Sequence, residues 1–320
     1  MNILIVRSDK LGDFITALPA IYLLKQFNPV NKIIVCIAAL NRELAESCSF
    51  IDDVIVDDGK SILALAKKIK EKKIDSSVTL FSNTHVALAQ LLAGVKVRVA
   101  PATKIAQIFY TKRVIQRRSE VKKAEFEYNI DLVETIFNPL KLEYAQPLLQ
   151  FSDSKSIYKA FCKHHFINKE IIVFHIGFGG SSDANWSFDE YEILIRKVLE
   201  QDKHQVVMTF GPDEESLLKE MKSRLKKEKI IFHLSSEGIV SFAKFLSNVK
   251  LFISTSTGTY HLASLVGCRT MTFFAETLFA SPKRWRGVGK FELQENYTIP
   301  SNDLQRKKLL TKIVEKLDTI

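Results

Sequence analysis

Cysteine is scarce in this chain, long apolar runs are missing, and the common nucleotide fingerprints are not there. The four cysteines, Cys36, Cys48, Cys162 and Cys268, form no CxxC pair. That argues against a zinc site and for buried free thiols in a reducing compartment. No apolar run approaches the ~18–20 residues that span a bilayer. The opening "NILIV" is too short for the apolar core of a secretory leader, and Arg7, Asp9 and Lys10 interrupt it. The expected location is the cytoplasm. The first strand-like run ends in "RSDKLGDF" rather than G-x-G-x-x-G, against the pattern of a dinucleotide-dependent dehydrogenase. The richest glycine loop, "HIGFGGSSDANW", is not a Walker A sequence either.

What is present is an ordinary globular composition with a basic excess. Hydrophobic residues make up 46% and charged residues 26% of 320 residues, enough for two domains with cores of their own. The formal net charge of +10 favours an anionic partner such as a nucleotide, a phosphorylated glycan or a membrane surface.

Short apolar runs alternate with helical patterns. "NILIV", "KIIVCIA", "DDVIVDD", "SSVTLF" and "VKVRVA" read as strands of a first block, and the first helix is expected over 14–27. A second block runs through "EIIVFHIG", "HQVVMTFG", "KIIFHL", "LFIST" and "CRTMTFFA", closed by a charged terminal helix. Buried parallel strands read as continuous apolar runs, as these do. The order predicts an α/β protein of two doubly wound domains, 1–155 and 156–320, facing a central cleft. A linker is expected in the proline-bearing stretch "NPLKLEYAQPLLQFSDSKS".

Sheets of this kind bind ligands outside the carboxyl ends of their strands. Four such loops stand out. "RSDKLGDF" puts Gly12 at a turn and Asp13 at a helix entry, where it could cap the helix or act as a general base. "HIGFGGSSDANW" offers backbone N–H groups and hydroxyls to an anion. In "STSTGTYHLASL" a helix N-terminus follows Ser256, Thr257 and Gly258, with His261 one turn on. "FGPDEE" brings Glu214 or Glu215 near a strand end, as a ribose ligand or as a dipole-stabilising acid.

Together "LIVRSDKLGDFITALPAIYLLKQFNP", "FHIGFGGSSDANWSFDEY", "TFGPDEE", "FISTSTGTYHLASLVGCRTMTFF" and "SPKRWRGVG" resemble the heptosyltransferases, family 9 of the glycosyltransferases. The resemblance runs in register from residue 1 to about 289. It implies a GT-B fold of two Rossmann-like domains, with the acceptor on the first and a nucleotide sugar on the second. It implies inverting, metal-independent transfer of a heptose from an ADP-activated donor to the inner core of lipopolysaccharide, with no cofactor. By motif, Asp13 is the general base, with Gly12, Lys10 and Arg7 beside it on the acceptor side. Thr257 and Gly258, with His261 nearby, and Ser181 and Ser182 match the diphosphate loops, Ser256 lies at the donor position that holds sugar hydroxyls, Glu214 matches the ribose acid, and the segment near Glu237 the adenine contact. The chain departs from the family at Ala184, where Lys is usual, at Ser256, where Asp is usual, and in "FFAET".

Metal-dependent transferases usually carry Asp-x-Asp. The acidic pairs here, Asp52-Asp53 and Asp57-Asp58, are adjacent and read as solvated strand ends. The basic segment 104–123 suits an anionic, lipid-anchored glycan acceptor or the inner membrane face, and no nucleic-acid motif accompanies it. The rival readings are a nucleotide-sugar epimerase and a catalytically silent nucleotide-sugar-binding protein.

Overall fold

The computed structural model describes residues 1–103, 105–137, 143–177 and 185–320. It divides into two compact units, Met1–Ala145 and Gln146–Ile320. The division falls inside the proline-bearing linker stretch, upstream of the expected 155/156 boundary.

The first unit runs β1 (Asn2–Arg7), α1 (Leu11–Phe27), β2 (Lys32–Ile37), α2 (Arg42–Glu46), β3 (Asp53–Val56), α3 (Ile62–Glu71), β4 (Ser76–Thr79), α4 (Thr84–Leu92), β5 (Val97–Pro101), β6 (Lys112–Val114) and α5 (Glu125–Glu134). Its six parallel strands lie in the order β3-β2-β1-β4-β5-β6. β1 is central, pairing Ile3 with both Ile33 and Ser76, and Ile3 to Val6 are fully buried. That burial is why "ILIV" is uninterrupted by polar residues.

The second unit runs α6 (Ser154–His164), β7 (Ile171–His175), α7 (Phe188–Glu200), β8 (Gln205–Phe210), α8 (Glu215–Arg224), β9 (Ile230–Leu234), α9 (Ile239–Leu246), β10 (Leu251–Thr255), α10 (Gly258–Leu265), β11 (Thr270–Phe274), α11 (Pro282–Trp285), β12 (Gln294–Thr298) and α12 (Asp303–Leu317). Its strand order, β12-β11-β10-β7-β8-β9, repeats that of the first unit. One core layer packs α7, α8 and the terminal α12 on the sheet through Tyr191, Leu194, Met221 and Ile313.

Each sheet reverses its winding once, at β1/β4 and at β7/β10. A crevice opens outside the carboxyl ends at such a point. The loops read as chemistry-bearing from sequence follow β1, β7, β8 and β10, so three of them sit at a reversal. The terminal strands β6 and β12 and the helix α6 escaped the sequence reading. "KRV" and "QENYT" lie at sheet edges, where partial exposure removes the apolar run. The Asp57 side chain is only 6% exposed and meets His85 Nε2 at 3.0 Å, so that acid is not a solvated strand end. Among the described residues no helix is long and apolar enough to cross a membrane.

Candidate functional site

In the first unit the site is built around a buried cation. Arg7 ends β1 and is 2% exposed. Its Nη2 donates to Asp13 Oδ1 at 2.5 Å, its Nε to Asp9 Oδ1 at 2.9 Å, and its Nη1 to Glu125 Oε1 at 3.4 Å. Arg118 also donates to Glu125, at 2.5 Å. The Asn129 amide, one turn along α5, donates to the Thr16 carbonyl at 3.0 Å and ties that helix to α1. Phe81, just beyond β4, lies under the guanidinium at 5.8 Å.

Burial disfavours the Arg7 charge, but Asp9, Asp13 and Glu125 outweigh it and hold the group above its ordinary range. Asp9 is pushed up to about 6, by burial first and by Asp13, against the pull of Arg7. The helix α1 begins at Leu11, earlier than the sequence suggests, and Lys10 is its N-cap without a side-chain bond. Gly12 and Asp13 therefore belong to its first turn, and Asp13 is not the cap. Its carboxylate is a fifth exposed and is oriented by Arg7. Lys10 is exposed, while the Arg7 side chain faces the carboxylates.

In the second unit the described chain just past β10, β7 and β8 converges, with Gly177 beside both Thr255 and Glu214. Thr257 precedes α10 without capping it, since its hydroxyl pairs with that of Thr259 at 2.9 Å. Gly258 opens the helix, and the Ser256 N–H donates to the Phe273 carbonyl at 3.0 Å. His261 is 3% exposed and packs against Tyr260 and Trp285. The closing motif "SPKRWRGVG" seals this helix from outside. Gly287 N–H donates to the Tyr260 hydroxyl at 2.7 Å and Gly289 N–H to Ser264 Oγ at 2.9 Å. A Cβ on either glycine would collide with Ser264.

Glu214 follows β8, and its Oε2 accepts from the Gly211 N–H at 2.7 Å. The same carboxylate lies against Gly177, where any Cβ would overlap it. Beneath it sits His175, a buried residue that sequence reasoning passed over. Its Nε2 is 4.0 Å from Glu214 Oε2, and its Nδ1 pairs with Thr209 Oγ1 at 3.1 Å. Burial lowers the His175 pKa, against the opposing effect of Glu214. The available signal was a titratable residue closing the apolar run "IIVF". Ser181, Ser182 and Ala184 lie outside the described residues. Glu215, the alternative to Glu214, is the first residue of α8.

Beyond the end of β9 is a cavity of about 370 Å³, lined in part by Phe161, His165, His233, Ser235 and Glu237. Phe161 meets the His165 ring at 4.6 Å and the His233 ring at 5.2 Å. Burial lowers the pKa of both histidines. The strand ends β10, β7, β8 and β9 thus present, in spatial order, a helix N-terminus, a glycine, an acid and an aromatic cavity.

The sequence pattern of glycosyltransferase family 9 (heptosyltransferase) matches residues 62–316. A Haemophilus influenzae protein provisionally named a glycosyltransferase is 37% identical over 298 residues, covering 90% of this chain and 86% of that protein. The structure of E. coli ADP-heptose LPS heptosyltransferase II superposes with a TM-score of 0.80 at 17% identity, covering 99% of this chain and 98% of that one. E. coli heptosyltransferase WaaC with ADP superposes with a TM-score of 0.74 at 19% identity, over 99% and 100% of the two chains. The two Rossmann-like units are therefore those of the GT-B heptosyltransferase fold. With the family pattern covering most of its length, the chain is a glycosyltransferase and belongs to glycosyltransferase family 9, the heptosyltransferase family.

Proposed function

We propose that the enzyme moves a heptose, or a related sugar, from an ADP-activated donor to the lipopolysaccharide inner core, with inversion and without a metal. The observation that carries this reading is the Asp13 carboxylate, held at a sheet reversal by a buried arginine and still a fifth exposed. In the reaction Asp13 takes the proton of the acceptor hydroxyl as that oxygen attacks the anomeric carbon. General-base help of this kind contributes typically ~10²–10⁴-fold. Gly12 leaves room for the acceptor, and Lys10 offers it a cation. Arg7 acts through Asp13.

On the second unit the donor lies across the strand ends. Three steps between neighbouring strands span about 14 Å, which suits an extended nucleoside diphosphate. Ser256, Thr257, Gly258 and His261, with Ser181 and Ser182, take the diphosphate as charge develops on it. Glu214 takes the ribose, and the cavity beyond β9 takes the base. A carboxylate at Glu237 accepts from an exocyclic amine, which adenine has and uracil lacks; this supports ADP over UDP. The acceptor is a lipid-anchored core oligosaccharide met at the cytoplasmic face of the inner membrane.

A thermal-shift series against ADP-, GDP-, UDP- and CDP-sugars tests the donor, since a ligand that binds the folded state raises its apparent stability. ADP-heptose should give the largest shift. Asp13→Asn should keep that shift and lose transfer to core acceptor. A preference for UDP-sugars, or full turnover by the variant, would sink the reading. Donor conversion without acceptor would instead mark an epimerase.

A further inference from the structure

The segment joining β5 to α5 has properties that neither sheet nor either site uses. It contains a 3₁₀ turn, Ile105–Phe109, then the edge strand β6, then a second 3₁₀ turn, Arg118–Glu120. Residues three apart eclipse one another in a 3₁₀ turn. Ala106 and Phe109 therefore share one face, and both pack with Tyr110 and Ala87. Ile105 and Ile108 share another, and they are 81% and 59% exposed. Ile115, just past β6, is 78% exposed. Exposed apolar side chains are common singly, but three isoleucines exposed within eleven residues of one short segment, beside a run of cations, mark a candidate interaction surface.

The surrounding charge says what covers them. Residues 105–123 hold six cations, Lys112, Arg113, Arg117, Arg118, Lys122 and Lys123, against the single acid Glu120. Arg118 turns inward to Glu125. Lys112 and Arg113 are exposed and reach backbone carbonyls, of Thr135 and Tyr110. The far end of the segment is also fixed to the unit. Val121 is fully buried at a φ of 46°, and the Tyr128 hydroxyl accepts from the Lys122 N–H at 3.0 Å. The isoleucines and cations are thus presented on a segment anchored at both ends.

We infer that this segment docks the enzyme on an anionic lipid bilayer, with Ile105, Ile108 and Ile115 entering the interface and Lys112, Arg113 and Arg117 on the headgroups. The inference gives residues to the membrane contact proposed above but does not depend on the sugar transferred. Failure of the donor test leaves it standing, and the reverse holds.

The test is co-sedimentation of the full-length protein with vesicles of pure phosphatidylglycerol and of pure phosphatidylcholine. The protein should pellet with the first and not the second, and added salt should weaken the association. The K112Q/R113Q/R117Q variant should bind roughly a hundredfold more weakly, at about fivefold per cation near the surface. The I105S/I108S/I115S variant should bind roughly tenfold or more weakly, including at low salt. All six positions are exposed, so circular dichroism melts of both variants should match the parent. Failure of the parent to pellet with phosphatidylglycerol would overturn the inference. So would a serine variant that binds like the parent, since charge alone would then explain the contact. Release by millimolar inorganic pyrophosphate at constant ionic strength would also overturn it, by making the segment a discrete anion site.

Discussion

Replacing Arg7 with Met tests whether the buried cation organises the first unit's site. The change keeps much of the side-chain volume and removes the charge and all five N–H donors. Breaking a buried ion pair by deleting one partner typically costs about 3–5 kcal/mol. Here the lower end is expected, about 3 kcal/mol. Glu125 is 2% exposed but keeps Arg118 at 2.5 Å, and Asp9 and Asp13 are each a fifth exposed, so water covers part of their charge. The cost should depend on pH. Asp9 already holds its proton up to about 6, so below that value the cluster carries one negative charge fewer. The destabilisation should therefore be smaller at pH 5 than at pH 8. Urea unfolding followed by circular dichroism is the assay, because both tryptophans, Trp186 and Trp285, lie in the second unit and fluorescence would miss the first. Transfer should fall in R7M with donor affinity unchanged, and R7K should restore stability better than it restores transfer, since an ammonium lacks the guanidinium fork. An R7M protein as stable as the parent at pH 8, or with unaltered turnover, would refute the reasoning.

His175 and Glu214 should act as one unit on the donor. E214Q should raise the donor KM about tenfold, as loss of a charged hydrogen bond does; H175N should raise it less, and the double variant no further than E214Q alone, with kcat little changed throughout. Additive effects in that cycle would separate the two residues. Asp9 should also leave a mark on stability. Its folded pKa is raised to about 6 from 3.8, so the stabilisation it gives is fully present below the unfolded value and is lost as pH rises through 6. D9N should flatten the stability profile between pH 4 and 7, and a parent profile already flat there would contradict the assignment.

The sheets were legible in the sequence because parallel strands buried on both faces must be apolar along their whole length. Ile3 to Val6 and Ile171 to Phe174 announce themselves for that reason. β6 and β12 did not, because strands at the edge keep polar residues. The loops were legible once the strands were placed. The wiring of the site was not. Arg7 lies near Asp9 and Asp13 in the chain, but its third partner, Glu125, comes from 118 residues away. His175 stayed hidden because a single histidine at the end of an apolar run has no spacing to betray its partners Thr209 and Glu214.

The acid at the start of α1 raised two readings, a helix cap and a base, and the other helix starts in this protein help to choose. Glu127, Glu190 and Glu214 each occupy the third position of their turn or helix. Each reaches back to the N–H of its N-cap residue, Ala124, Ser187 or Gly211, at 2.7 Å. That is the bond expected of an acid at this place, made reciprocal at Ser187, whose hydroxyl accepts from the Glu190 N–H. Asp13 occupies the same position of α1, after the cap at Lys10, yet its carboxylate turns to Arg7. An aspartate is one methylene shorter than a glutamate, and here an arginine stands at the strand end to receive it. Local helix energetics therefore does not account for Asp13. The proposed base role accounts for it better: a buried guanidinium that fixes a partly exposed carboxylate at a sheet reversal would aim the group and leave one edge open to a hydroxyl.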